Sequence, residues 1–154
     1  MTKRQELEVI LERHKGLEGP LLPILHAVQG HFGYVPPELE ADVAVALNLS
    51  AAEVRGVISF YHDFRSEPAG EHQVKICCAE ACQARGSRSL ADHAQASLGV
   101  EFGDTTANGR VTLEKVYCLG NCACGPSVSV DGEVYARVDG KGFDQLIAEL
   151  GEAR

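Results

Sequence analysis

The chain has 154 residues, 45% of them hydrophobic, with 14 basic against 22 acidic side chains and a net charge of −8 with histidine neutral. That is enough apolar material for one domain, or a compact domain with a smaller helical part, without disulfide staples. The acidic balance and the lack of any Lys/Arg run exclude a phosphate-binding face, so no nucleic-acid partner is expected, and any docking partner is expected to be neutral or basic at the contact.

The start, Met1-Thr2-Lys3-Arg4-Gln5-Glu6, lacks the apolar core of a secretory signal. Leu7, Ile10, Leu11 and His14 then share one helical face, and Leu21, Ile24, Leu25 and Val28 form a second stripe, with Pro20 suited to the first helical position. Residues 19–37 carry no Asp, Glu, Lys or Arg, but Pro20, Pro23, Pro36 and Pro37, with the polar His26, Gln29 and His31, argue against membrane insertion. A soluble cytoplasmic protein is the reading. The uncharged stretch is the first candidate for a docking surface outside the cysteines, with plain core as the alternative.

Pro36-Pro37 opens a third helix bearing Leu39, Val43, Ala46 and Leu47, with residues 38–42 as its solvated face. Ser50-Ala51-Ala52-Glu53 is a capping box, and the helix behind it presents Val54, Val57, Ile58 and Tyr61. Residues 65–71 are polar and carry Pro68 and Gly70, which marks the best domain boundary. Beyond it His72–Cys77 reads as a strand, Ser87–Leu98 as a helix stopped by Gly99, and 111–117 as a second strand. Strands at 127–130 and 134–138 flank the hairpin dipeptide Asp131-Gly132, and Phe143, Leu146, Ile147 and Leu150 line a closing helix. The fold class is α/β: a helical bundle (1–65), a linker (66–71), and a β-α-β-β-β-α domain (72–154) of thioredoxin-like order.

All six cysteines fall in two knots, Cys77, Cys78 and Cys82, then Cys118, Cys122 and Cys124, each following a strand. In a reducing cytosol such clusters act more often as ligands or redox groups than as bridges. A [2Fe–2S] core takes four thiolates, two for each iron, and two loops each holding a pair three or four residues apart can supply them. Ala79, Ala81, Gly86, Gly120, Ala123 and Gly125 are small enough for backbone amides to approach the sulfurs. Zinc knuckles and thioredoxin dithiols both favour a Cys-x-x-Cys gap, which is absent. Six cysteines for four places leave Cys78 and Cys124 open. Strand alternation alone does not choose between Cys77 and Cys78.

Cys77-x4-Cys82-x-x-Arg85-Gly86 followed by Cys118-Leu119-Gly120-x-Cys122 resembles the thioredoxin-like [2Fe–2S] subunit of respiratory complex I and its relatives. Leu21-Leu22-Pro23-Ile24-Leu25-His26-Ala27-Val28-Gln29, Gly33-Tyr34-Val35-Pro36 and Val57-Ile58-Ser59-Phe60-Tyr61-His62-Asp63-Phe64 extend the likeness through the helical half. Within that group, Cys122-Ala123-Cys124-Gly125-Pro126-Ser127 and the hairpin behind it most resemble the gamma subunit of soluble NAD-dependent formate dehydrogenases. The resemblance implies that Cys77, Cys82, Cys118 and Cys122 hold the cluster; with no Ser/His/Asp set or phosphate-cradling Gly loop, no substrate site is expected on the chain. It further implies an FMN- and NAD-binding flavoprotein partner, and a molybdenum-containing catalytic partner that carries further Fe–S clusters. The same motifs fit the equivalent subunit of an NAD-reducing hydrogenase or of NADH:quinone oxidoreductase. A free-standing thioredoxin-like ferredoxin or redox sensor, and a zinc-bound adaptor, are the alternatives of other classes. His26, His31, His62, His72 and His93 are read as packing or surface groups, and Tyr61 and Phe64 as core or partner-facing ones.

Overall fold

Helix punctuation shapes the first of two contact-defined units, Met1–Pro68, in a computed structural model that describes Met1 to Glu152. Its helices are α1 (Lys3–His14), α2 (Leu21–Phe32), α3 (Glu40–Leu47, led in by a 3-10 turn over Pro37–Leu39) and α4 (Ala51–Phe60). Thr2 with Gln5 and Ser50 with Glu53 both close capping boxes, each satisfying otherwise free amides at a helix start. Gly33 (φ +80) ends α2 and Asn48 (φ +55) ends α3, the left-handed stops that glycine and asparagine tolerate. Pro20 lies one place outside α2 rather than within its first turn.

The inward faces meet in one core of Leu7, Leu11, Ile24, Leu25, Val28, Val35, Leu39, Val43, Ala44, Val54, Ile58 and Phe64. The uncharged stretch 19–37 supplies core through Ile24, Leu25, Val28 and Val35, while His26, Gly30, His31 and Gly33 stay exposed. Three expectations are corrected. Ala44, not Ala46, fills the inner face of α3. Tyr61 is not on α4: its backbone is extended, and the chain turns there to bring Phe64 back into the core. Gln29 holds that return, its amide group donating to the Asp63 carbonyl (2.6 Å) and accepting from the Arg65 amide (2.8 Å). Finally, residues 38–42 are not uniformly solvated, since Glu40 is only 8% exposed and lies 3.1 Å from Arg55. Burial pushes the Glu40 carboxyl up and the Arg55 charge opposes it. Ser50→Ala is expected to cost about 1 kcal/mol by freeing the first amides of α4, measurable as a fall in the urea midpoint.

The second unit, from Ala69 onward, holds β1 (His72–Cys77), a short α5 (Glu80–Gln83), α6 (Ser87–Leu98), β2 (Val111–Val116), β3 (Val128–Val130), β4 (Glu133–Tyr135) and α7 (Gly140–Glu152). The sheet order is β2-β1-β3-β4. Strands β1 and β2 run parallel with Cys77 opposite Val116, whereas β3 is antiparallel to both β1 and β4. Asp131 (φ +51) and Gly132 (φ +91) form the hairpin turn expected of that dipeptide. Strand β4 stops at Tyr135, short of the expected 138, and Arg137 enters the left-handed region (φ +52). Val74, Ile76, Leu113, Val128 and Val130 share one apolar core with Leu90 and Ala94 of α6 and with Phe143 of α7. Because β1 and β2 are parallel neighbours, the loops that follow them leave the same edge of the sheet. Both cysteine knots lie on those loops.

Among the described residues no single helix is long and apolar enough to cross a membrane.

Candidate iron–sulfur centre

The end of β1 is held from both sides: the Cys77 amide donates to the Ser127 carbonyl (3.1 Å) and the Cys78 amide to the Val116 carbonyl (2.8 Å). Strand alternation then sends the two neighbouring thiols apart. Cys77 is buried and its sulfur meets the Cys82 thiol and the amides of Ala79, Cys118 and Leu119. The last two amides belong to the second knot, so the two loops are joined at this sulfur. Cys78 instead lines a separate cleft of about 340 Å³ with Lys115, Phe102 and Tyr117. The choice between Cys77 and Cys78 that spacing left open is thus a difference of facing.

In the second knot the Cys118 and Cys122 sulfurs are 3.5 Å apart, and both residues are exposed. Cys118 has φ +99, a backbone state that costs an L-residue about 1–3 kcal/mol and tends to persist only at functional sites. The Gly120 amide also reaches the Cys118 sulfur, at 3.3 Å. The thiols therefore come as two pairs, one buried and one exposed. Among the described residues no three His, Cys, Asp or Glu side chains gather as a single-ion site. Paired sulfurs on two loops, with amides aimed at them, match the donor set of a two-iron cluster, two thiolates for each iron.

The electrostatics agree. Burial pushes the Cys77 thiol up, but the Ala79 amide, the Cys82 thiol and the Cys118 and Leu119 amides outweigh it and favour the thiolate. Burial, then the hydrogen bond with Cys77, pushes Cys82 up, against the amide and hydroxyl of Ser127. Cys122 is raised by its hydrogen bond with Cys118, then by the Cys118 charge, with smaller contributions from Cys82 and Cys77. Cys77 thus opposes ionisation of Cys82, and Cys118 that of Cys122, which is the repulsion that bound iron removes. Cys78 is raised by burial, partly offset by Lys115.

Several braces were not legible from spacing. The Ser87 hydroxyl donates to the Cys77 carbonyl from the start of α6, and the Gln83 side chain donates to the Cys78 carbonyl from α5 (2.6 Å). The Arg137 amide donates to the Cys124 carbonyl (2.8 Å), tying the second knot to the β4–α7 connection. Gly125 is the tightest point: a β-carbon there would stand 3.0 Å from the Cys82 sulfur and 3.3 Å from Arg85 Cδ. Gly125→Val is expected to displace Cys82 and lower iron and acid-labile sulfide well below one cluster per chain, measured on anaerobically purified protein. The histidines pair or pack elsewhere rather than with the cysteine thiols. His72 pairs with Asp131 and His93 with Asp144, each at 2.7 Å, His31 with Glu6 at 3.1 Å, and His26 packs on Phe64.

The sequence model of the thioredoxin-like [2Fe–2S] ferredoxin family matches residues 7–151. This chain belongs to that family. As a thioredoxin-like [2Fe–2S] ferredoxin, it has a [2Fe–2S] cluster as its cofactor. It is 32% identical over 145 residues to the HndA subunit of the NADP-reducing hydrogenase of Solidesulfovibrio fructosivorans, covering 94% of this chain and 85% of that one. It is 31% identical over 147 residues to a subunit of the NADH-quinone oxidoreductase of Rhizobium meliloti, covering 96% and 88%. Among solved structures, an NAD+-reducing [NiFe]-hydrogenase in the air-oxidized state superimposes with a TM-score of 0.72 at 24% identity, covering 86% of this ferredoxin and 23% of the hydrogenase chain. At that identity the likeness concerns the fold. The thioredoxin-like ferredoxin spans about a quarter of that hydrogenase chain.

Proposed function

We propose that this chain is the electron-transfer subunit of a cytoplasmic NAD-linked oxidoreductase, with its cluster held by Cys77 and Cys82 on one iron and Cys118 and Cys122 on the other. The observation that carries this reading is the approach of the two loops at the Cys77 sulfur, where the Cys118 and Leu119 amides of the second knot lie close enough to favour charge on a thiol of the first. When bound, the cluster supplies one-electron chemistry, accepting an electron from the FMN of an NAD-binding flavoprotein subunit or returning it. The residues of this chain prepare for that chemistry. Amides of Ala79, Cys118 and Leu119 favour charge on the Cys77 sulfur without any side chain having to move. Cys77 and Cys82 keep one side dry, while Cys118, Cys122 and Tyr117 stay exposed, which marks the side through which an electron would pass. A cluster beside the main electron path, buffering flavin electrons, is part of the same reading. So is a hinge over 66–71 between the helical and cluster-bearing domains.

The parent enzyme we infer is an NAD-dependent formate dehydrogenase, in which a molybdenum-containing subunit with further Fe–S clusters oxidises formate and NAD+ is reduced: formate and NAD+ give CO2 and NADH. Cys124 before Gly125-Pro126, with the hairpin behind it, supports this branch. A hydrogenase or quinone-reductase subunit is the second reading, favoured by the relatives at 32% and 31% identity. Anaerobic purification with the co-purifying subunits tests both. FMN with molybdenum and formate-dependent NAD+ reduction is the expected result. FMN with nickel and hydrogen-dependent reduction would replace the formate reading, and cluster-loaded protein that elutes alone would overturn the subunit reading.

A further inference from the structure

A net charge of −8 over the whole chain suggests a neutral or basic docking partner, but the cations of the second unit are not spread evenly. Lys75 and Arg110 are paired with Glu114 and Glu71. Four others stand beside the cysteine loops, two in each of two clefts. Arg88 and Lys115 line the cleft that holds Cys78. There Arg88 bonds the Gln83 side chain and Lys115 lies over the Phe102 ring, with Asp92 as the acid. Arg85 and Arg137 line the other, a cleft of about 560 Å³ floored by Gly125 and Pro126 of the second knot. Both are exposed, and among the described residues neither guanidinium has a hydrogen-bond or ion-pair partner.

The second cleft is short of negative charge. Among the described residues its only carboxylate is Asp139, whose Oδ1 already accepts from the Gly142 amide (2.8 Å). His93, on its wall, is bound to Asp144. The twelve-residue α6 starts there at Gly86 without a side-chain cap, adding the partial positive charge of its first amides. The Arg85 stem is held against Gly125, and Arg137 is fixed through its amide to the Cys124 carbonyl. Both arginines are thus rooted beside the loop that carries Cys122. Arginine is the side chain best shaped to grip a carboxylate through two parallel hydrogen bonds.

We propose that the Arg85–Arg137 cleft is the docking site for an acidic segment of the redox partner polypeptide, one or more Asp or Glu side chains that seat beside the cluster. This rests on the electron-transfer reading above. It reverses the sign of partner that overall charge suggests, because association is governed by the field at the contact. The acidic remainder of the chain then disfavours the same partner in other orientations, so the cluster edge is what it meets.

The test is anaerobic co-purification of the holo-protein with its partner subunits at about 50 and about 500 mM NaCl, which shortens electrostatic range severalfold. The wild type is expected to lose partner as salt rises. Arg85→Glu/Arg137→Glu is expected to lose about tenfold of it at low salt while keeping its [2Fe–2S] EPR signal. Arg85→Gln/Arg137→Gln, and Arg137→Glu alone if the double reversal misfolds, should fall between. A double variant that retains partner with unchanged salt dependence would overturn the proposal. So would retained partner with lost binding of inorganic phosphate, which would make the cleft a small-anion site. Wild-type protein that loads a cluster but recovers no partner would instead sink the electron-transfer subunit reading.

Discussion

Cys77→Ala is expected to abolish [2Fe–2S] binding, whereas Cys78→Ala leaves one cluster per chain. The two residues are adjacent and chemically identical, so the difference arises from facing alone. Cys77 points to Cys82 and receives amides from both knots, and its removal takes away the sulfur at which the loops meet. Only three of the four thiolates then remain for the two irons, and the iron held from the first knot is left with Cys82 alone. Cys78 lies in a different cleft with Lys115 and Tyr117, and losing it removes only a few contacts there. Cys124→Ala is expected to behave like Cys78→Ala. Iron and acid-labile sulfide content, with the EPR signal of the reduced protein, checks all three. A cluster that survives Cys77→Ala and disappears with Cys78→Ala would reverse the ligand assignment.

Phe143→Ala is expected to destabilise the cluster-bearing unit by about 3–5 kcal/mol, a large share of the ~5–15 kcal/mol that holds a domain together. Phe143 is fully buried, the largest such side chain among the described residues, and joins α7 to the sheet core of Val74, Ile76 and Val128. Its ring also stands edge-on to His93 of α6, with centroids 6.3 Å apart. Truncation therefore leaves a cavity that two helices border. Its consequence reaches the site, because α6 carries the Ser87 that bonds the Cys77 carbonyl. Urea unfolding of the apo-protein, followed by circular dichroism, measures the loss. A change under 1 kcal/mol would mean that α7 contributes little to this core.

The sequence was most readable where local chemistry decides. The Ser50–Glu53 box, the Gly99 stop and the Asp131-Gly132 turn each depend on residues within four positions, and each stands where the residues indicate. The structure departs from the local pattern where distant contacts override it. Tyr61 fits the stripe of α4, yet the chain leaves the helix there because Phe64 must reach the core and Gln29, far back on α2, holds the return. Glu40 belongs to an acidic run that looks solvated, but it turns inward toward Arg55 of the next helix. Val134 and Val138 alternate well enough to suggest a longer β4, but the Arg137 amide is claimed by the Cys124 carbonyl and the strand stops at Tyr135.

The same division holds for the site. Composition and spacing by themselves determined that four of six thiols suffice for a two-iron cluster, that they come from two loops, and that each loop is small enough for amides to approach sulfur. They did not determine which strands pair. Parallel pairing of β1 with β2 brings both loops to one edge of the sheet, a long-range register that no short motif encodes. Pairing also sets the parity of the strand end, and parity separates Cys77 from Cys78. The charge beside the cysteine loops is likewise tertiary. A chain acidic in sum places Arg85 and Arg137 beside its cysteines, because folding collects residues by where the backbone turns and not by their order along it.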